Sequence, residues 1–308
     1  MASFSYNKSI AITEILNRID ALRTDILITP VSPLDQLQLR WECTLQRIRY
    51  SELISGRSFT SRAIAVALSP FGRKKPKLNE RQIIAYKQAF DYIQQNWLVS
   101  HKHVTYEHIS HIYNILGYPE IIPQAEELQR TLEYLQANED HPIIQSSIAH
   151  LVIRQMYEDT GELATLVSYL FLYKDGYNVD GYITLEDYFF QTKNMYDKTI
   201  RNIARSSKAN EFIEYISIGI EKNLLSIMAK IKEPKTIHNP LVPDVDLNQR
   251  QKEILSLIDM PDVQITNRDI QKKFKVSQIT ASRDLAKLNV LGLIFSRGKG
   301  RSVYYTKV

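Results

Sequence analysis

"HPIIQSSIAHLVIRQMYEDTGELATLVSYLFLYKDGY", residues 141–177, is the stretch on which the reading of this chain turns. Its first part, 141–155, is an apolar run at helical spacing that opens on His-Pro; proline suits the first turn of a helix, where its missing N–H costs nothing. Its last part is a second apolar helix that runs into an Asp-Gly-Tyr turn. Between them lies MYEDTGELATL, residues 156–166, a polar loop held between two buried helices, where a rigid scaffold often carries function. The loop has no His, no Cys and no glycine-rich phosphate cradle. It is a site of unfamiliar type, a lost site or a plain turn, and the flanking chain must decide.

The 308 residues suffice for one large domain or two, and 44% hydrophobic with 24% charged residues is ordinary for a soluble globular protein. No apolar run approaches a membrane span, and the start, "MASFSYNKSIAITEIL", lacks a basic segment followed by an apolar core, so neither membrane nor signal peptide is expected. Cys43 is the only cysteine, which excludes an internal disulfide or a zinc site of several thiolates. It reads as a small packing residue. A cytoplasmic location is the expectation.

The net charge of +5 is unevenly spread. From Leu247 onward twelve Lys/Arg face five Asp/Glu, so this end carries +7 and the rest −2. A basic segment on a near-neutral body points to a polyanionic partner. Composition breaks at "KEPKTIHNPLVPDVD", residues 232–246, where Pro234, Pro240 and Pro243 in a polar stretch read as a linker. Residues 1–231 then form a helical domain and 247–308 a second one. In the first, "DQLQLRWECTLQRIRYSELISG" spaces Leu37, Leu39, Trp41, Leu45 and Ile48 along a helix, and "ERQIIAYKQAFDYIQQNW" places Ile83, Ile84, Tyr86, Ala89, Phe90 and Ile93 likewise. Further helical runs follow to "ANEFIEYISIGIEKNLLSIMAKI".

The second domain opens with a helix, "NQRQKEILSLID", whose Ile254, Leu255 and Ile258 face inward. Thr266 or Asn267 caps a short helix carrying Ile270 and Phe274. Ser277 caps a third, with Ala281, Leu285 and Leu288 on one face and Gly292 at its end. "LIFSRGKGRSVYYTKV" reads as two strands around a turn. Three helices and a hairpin make a winged helix-turn-helix. Its exposed residues Ser277, Gln278, Ile279, Thr280, Ser282, Arg283 and Lys287 sit where a recognition helix meets base edges and phosphates, and Arg297, Lys299 and Arg301 lie on the wing. Double-stranded DNA is the implied partner.

The order of segments resembles the Fic (filamentation induced by cyclic AMP) family. "DHPIIQSSIAHLVIRQ" resembles the helix before its catalytic motif, "LFLYKDGYNVDGYITLEDYFFQTKNMYDKTI" the segment after it, and "YSELISGRSFTSRAIAVAL" the helix with which many members restrain themselves. A C-terminal winged helix is a common companion. The resemblance covers nearly all the chain after the first thirty or so residues and implies a mainly α fold: a Fic-like helical domain followed by a small α+β winged helix. Active members transfer AMP from ATP to a hydroxyl through His-Pro-Phe-x-Asp/Glu-Gly-Asn-Gly-Arg-x-x-Arg, with His as base, the acid on Mg²⁺, and glycine amides and arginine on phosphate.

This sequence departs at each element. MYEDTGELATL stands in the motif's place and is a few residues short. No His occurs between His150 and the linker. Glu158 or Asp159 is the only candidate metal acid, Gly161 is a lone glycine, Glu162 puts negative charge where phosphate needs positive, and Thr165 lies roughly at the last arginine's place. Only "GYPEII" separates two helices where the family carries a longer stretch with a target-aligning flap. In the restraining motif Ser51 and Gly56 fit, but Ser55 replaces the glutamate that would pair with the motif's arginine.

The expectation is therefore a DNA-binding transcriptional regulator whose Fic-like domain is a pseudoenzyme, with no catalytic residue, cofactor or metal, used for dimerisation or for sensing an unknown signal. A homodimer on a two-fold operator follows from the small contact area of one winged helix. The alternatives are an AMP- or phosphate-transferring enzyme using Glu158 or Asp159, and a winged helix that docks protein. Two decoys are set aside. "GYNVDGYITLED", residues 176–187, mimics a calcium loop but has Gly176 where the first ligand belongs. His101, His103, His108 and His111 cluster without Cys or a convincing acid partner. The aromatics Tyr169, Phe171, Tyr173, Tyr188, Phe189 and Phe190 fit packing.

Overall fold

The computed structural model describes residues 4–68, 77–118, 124–157, 161–233, 247–258, 263–291, 293–298 and 303–307. Among them are fourteen α-helices, one 3-10 turn and a two-stranded sheet, so the protein is mainly helical with a small C-terminal α+β region. The centre is an antiparallel pair, α7 (Pro142–Met156) and α8 (Gly161–Lys174), joined by the short loop of the opening stretch. α8 is buried all round from Leu163 to Tyr173, which is why its sequence is apolar on every face rather than on one stripe. α4 (Leu78–Trp97) and α5 (Tyr106–Ile115) pack against it, while α6 (Ala125–Ala137) and α11 (Asn210–Lys232) pack against α7.

α11 runs beside α1 (Ile10–Ile28), a helix absent from the sequence expectations. Ser9 caps α1 by accepting from the Ile12 amide at 3.2 Å, and Ile12, Ile15, Leu16, Ile19 and Ile26 are buried at i, i+3, i+4, i+7 spacing. The pair is parallel: Ser5 exchanges backbone hydrogen bonds with Ser207 and Ala209, both at 2.9 Å, and Arg18 meets Glu221 at 2.5 Å.

On the other side, α2 (Pro33–Ile54) lies against α9 (Glu186–Gln191), with α3 (Ser61–Leu68) bridging α2 to α4. α10 (Lys193–Ser206) returns the chain to α11. Gly219 lets α11 approach Tyr188: a β-carbon there would lie 2.5 Å from the ring.

The C-terminal region comprises α12 (Gln249–Leu257), α13 (Asn267–Phe274), α14 (Gln278–Val290) and strands β1 (Ile294–Arg297) and β2 (Tyr304–Lys307). The strands pair antiparallel from Ile294↔Lys307 to Arg297↔Tyr304, and Ile265 bridges to Tyr305. Ile254, Ile258, Ile270, Ala281, Leu285, Leu288 and Ile294 form the core. Leu255, expected inward, is only half-buried, because Ile254 and Ile258 already define the inner face one helical turn apart. Thr266 rather than Asn267 caps α13, in a capping box with Asp269. Most of the expected linker and Gly292 lie outside the described residues.

Candidate functional site

A cavity of about 550 Å³ opens beside the α7–α8 loop. Its wall combines Ser51 near the C-terminal end of α2 with Ser55 and Arg57 just after it, the start of α8 (Gly161, Glu162, Thr165), Gln82 of α4, Arg154 of α7, and Lys193 and Tyr196 of α10. Helix packing thus brings the two segments singled out in the sequence, 51–56 and 161–165, to one place. Gly56, with φ +76°, is where the chain turns away from α2. Glu158 and Asp159 lie outside the described residues.

Glu162 is held in this wall by three side-chain donors. Its carboxylate lies in the first turn of α8, where the helix dipole favours an anion. It accepts from Ser55 Oγ at 2.8 Å, Arg57 Nη2 at 3.0 Å and Gln82 Nε2 at 3.0 Å. Arg57 Nε also reaches Glu52 at 2.5 Å, and the Glu52 side chain is only 1% exposed. Burial pushes the Glu52 carboxyl up, and Arg57 draws it partly back. One guanidinium therefore serves two carboxylates. Where the resemblance implies a glutamate after α2 pairing with an arginine at the start of α8, this chain has Arg57 pairing with Glu162: the same two segments are tied with their charges exchanged. Ser55 has a partner after all, as a donor to Glu162. Arg57 and Gln82 were missed in the sequence, although a lone arginine one residue beyond Gly56 was a usable signal.

Beneath the cavity a directed hydrogen-bond chain leads to His150, which is fully buried. Ser168 Oγ donates to the Ala164 carbonyl at 3.0 Å, so toward His150 it can only accept. His150 Nδ1, 3.0 Å away, must then carry the proton, and the bare Nε2 accepts from Tyr196 OH at 2.7 Å. Burial, reinforced by the charge of Arg154, pushes His150 down to about 3. The imidazole is neutral and uses both nitrogens internally. Arg154 Nε is itself buried without a hydrogen-bond partner.

At the other end of the chain, Ser277 caps α14 by accepting from the Thr280 amide at 3.2 Å. Three residues join α13 to α14, and the first, Lys275, adopts φ +50°, which makes the tight turn. Gln278, Ile279, Ser282 and Arg283 are exposed; Thr280 and Lys287 are half-buried. Asn267 of α13 donates to Ser282 Oγ at 2.8 Å. Arg297, on β1, donates to the Gln95 carbonyl of α4 at 3.2 Å, a contact no sequence pattern signals. Lys299 and Arg301 lie outside the described residues. Asp284, buried in α14, binds Arg250 and accepts from Gln251 Nε2 at 2.8 Å, fastening α14 to α12. Its place beside Ala281 and Leu285 was the available clue.

The decoys resolve into packing. His108 Nδ1 accepts from the Thr105 amide at 3.1 Å and caps α5, while His111 packs on Tyr92 with ring centres 4.6 Å apart. Among the described residues no three His, Cys, Asp or Glu side chains group as a metal site. In 176–187, Asp180 pairs with Arg40 at 3.3 Å, and the buried Arg47 donates to the carbonyls of Gly181 and Ile183 at 3.1 and 2.7 Å. Glu186 is buried, accepting from Tyr86 and, at 2.7 Å, from Tyr169. Cys43 is buried, and burial pushes its thiol up to about 11. Among the described residues no helix is long and apolar enough to cross a membrane.

These packed helices have a fold similar to that of Fic-family proteins. The chain is similar in fold to a Fic family protein from Desulfovibrio desulfuricans G20, at a TM-score of 0.62 and 12% identity, over 98% of this chain and 97% of that one. It is also similar to Fic-1 from C. elegans (TM-score 0.55, 14% identity, 71% of each chain). A Fic domain-containing signaling protein from Bacteroides thetaiotaomicron matches at a TM-score of 0.56 and 15% identity, over 74% of this chain and 100% of that one. No protein-family model and no curated protein matches the sequence.

Proposed function

We propose that this protein is a sequence-specific double-stranded DNA-binding transcriptional regulator. Its C-terminal region acts as a winged helix-turn-helix, and its Fic-like domain does no transfer chemistry but serves dimerisation or signal sensing. The observation that carries the DNA-binding half is α14: a capped helix, fixed to α12 and α13 by its buried face, whose N-terminal half turns Gln278, Ser282 and Arg283 outward. Gln and Arg offer paired donors for adenine and guanine edges, and the charge of +7 from Leu247 onward supplies the sequence-independent attraction to phosphate.

The inert half rests on Glu162. The start of α8 does not fit a magnesium–triphosphate group: a carboxylate held by three donors stands there, where a phosphate would need backbone amides free of competing negative charge. Arg57 is already shared between two carboxylates. His150 is buried, neutral and hydrogen-bonded on both nitrogens, unsuited to act as a base.

Two measurements test this. The full chain should shift a duplex drawn from DNA upstream of its own gene at low salt, and Arg283→Ala should weaken cognate binding by roughly 1–3 kcal/mol while barely changing non-cognate binding. Equal losses on both would make Arg283 a phosphate contact; no shift on any duplex would favour a protein-docking winged helix. Incubation with labelled ATP and Mg²⁺ should label neither the chain nor added proteins. Labelling that vanishes in Glu158→Ala or Asp159→Ala would establish the enzyme instead.

A further inference from the structure

Ile279 is 65% exposed, and among the described residues from Leu247 onward it is the one large apolar side chain left in water. A single exposed aliphatic residue is ordinary on a protein surface. Its position is not. At 3.6 residues per turn, Ala281, Asp284, Leu285 and Leu288 mark the buried face of α14, and Ile279 projects roughly 180° from the centre of that face. Ser282 and Arg283, at i+3 and i+4, flank it on the outward side, and both are exposed. The apolar group is therefore at the crest of the surface that faces outward, one residue inside the helix start, with hydrogen-bonding groups to either side. A β-branched residue gains nothing from helix propensity there, and a polar residue would be better solvated.

We propose that Ile279 reads the C5-methyl group of a thymine. This rests on the DNA-binding reading of α14. A recognition helix presents its outward crest to the floor of the major groove, and the thymine methyl is the one apolar group on that floor. Gln278, Ser282 and Arg283 then contact the polar edges of neighbouring bases, while Ile279 excludes water from the methyl. The contact discriminates by surface burial, so a cytosine, which lacks the methyl, is disfavoured at that position, and a methylated cytosine would be tolerated better than an unmethylated one.

The test begins with selection of duplexes from a random library by the full chain, followed by replacement of each thymine of the best duplex, one at a time, by deoxyuridine. This removes only the methyl and keeps every hydrogen-bonding group. The wild-type protein should lose roughly fourfold in affinity at one position per half-site, the effect of one buried methyl-sized group. 5-Bromodeoxyuridine at that position should restore binding, and Ile279→Ala should be indifferent to the replacement. The inference is overturned if every deoxyuridine is neutral for the wild type, or if the loss persists in Ile279→Ala. Failure to enrich or shift any duplex would instead overturn the DNA-binding reading itself, and this inference with it.

Discussion

His150 gives the sharpest quantitative handle on the core beneath the cavity. In the native protein its imidazole is held near a pKa of about 3, whereas an unfolded chain gives it the ordinary 6.5. Folding therefore excludes a proton that the unfolded chain binds. The stabilising contribution is fully present above pH 6.5 and is lost as the pH falls from there toward 3. At one proton and about 1.36 kcal/mol per pH unit, the loss between pH 7 and pH 5 is about 2 kcal/mol.

His150→Gln is the useful variant: it offers an amide to Tyr196 and cannot titrate. It should be less stable than the wild type at pH 7, by roughly 1–3 kcal/mol for the disturbed buried hydrogen bonds. The gap should then close by about 2 kcal/mol at pH 5, because only the wild type carries the titrating group. Urea unfolding of both proteins at pH 7, 6 and 5 reads this directly. Taking the difference matters. Glu52 and Glu186 are buried carboxyls held above their ordinary range, and their linkage has the opposite sign, with stability lost as the pH rises through their folded values. Both proteins share them, so they cancel. A gap that stays constant from pH 7 to pH 5 would mean that native His150 is protonated or open to water, and it would make the imidazole a candidate base.

Arg57→Met removes the one cation shared by Glu52 and Glu162 and should cost about 1–3 kcal/mol in unfolding free energy, a range set below that of a fully buried pair because Arg57 is 39% exposed. Adding Glu162→Gln and Glu52→Gln should recover most of that loss; no recovery would show that the arginine acts by packing. Two valines adopt left-handed backbone, Val99 at φ +47° and Val179 at φ +44°. Val99 is 63% exposed, so Val99→Gly should stabilise by about 0.5–1 kcal/mol, whereas Val179, 1% exposed, should destabilise on the same change because lost burial exceeds relieved strain. Thermal unfolding should show the two shifts with opposite signs. Lys287→Ala should lower the slope of log affinity against log salt by about 0.9, if this half-buried lysine meets one phosphate.

How far the fold was legible follows from where each signal resides. α8 was plain because nine of its eleven successive buried residues are apolar or aromatic, and the other two, Thr165 and Ser168, bond back to carbonyls of their own helix. The C-terminal helices were plain because Ser277 and the Ala281, Leu285, Leu288 face state cap and core within a dozen residues. α1 was missed although Ile12, Ile15, Leu16 and Ile19 carry a helical period, because beyond Ser9 it lacks end signals, with no acid in its first turn and no base in its last. Leu255 shows the usual limit of such patterns: periodicity names a face but not how far a neighbouring element covers it.

The cavity was legible in its location and not in its chemistry. The sequence brought 51–56 and 156–166 together through a resemblance, and there Ser55 looked idle and Glu162 merely misplaced. Tertiary packing gives each a partner: Glu162 is repulsive to a phosphate because it already occupies an anion's position, and Arg57, beyond the end of the compared motif, supplies the cation that neutralises it. A charge pair exchanged between two segments leaves their contact intact while changing what the space between them will accept. No one-dimensional comparison finds this, because the pair lies at Arg57 and Glu162 and not at Ser55 and Thr165, the positions the resemblance compares. Removing the guanidinium would leave both carboxylates without their cation, at a cost in stability; here both carboxylates and the guanidinium are satisfied together.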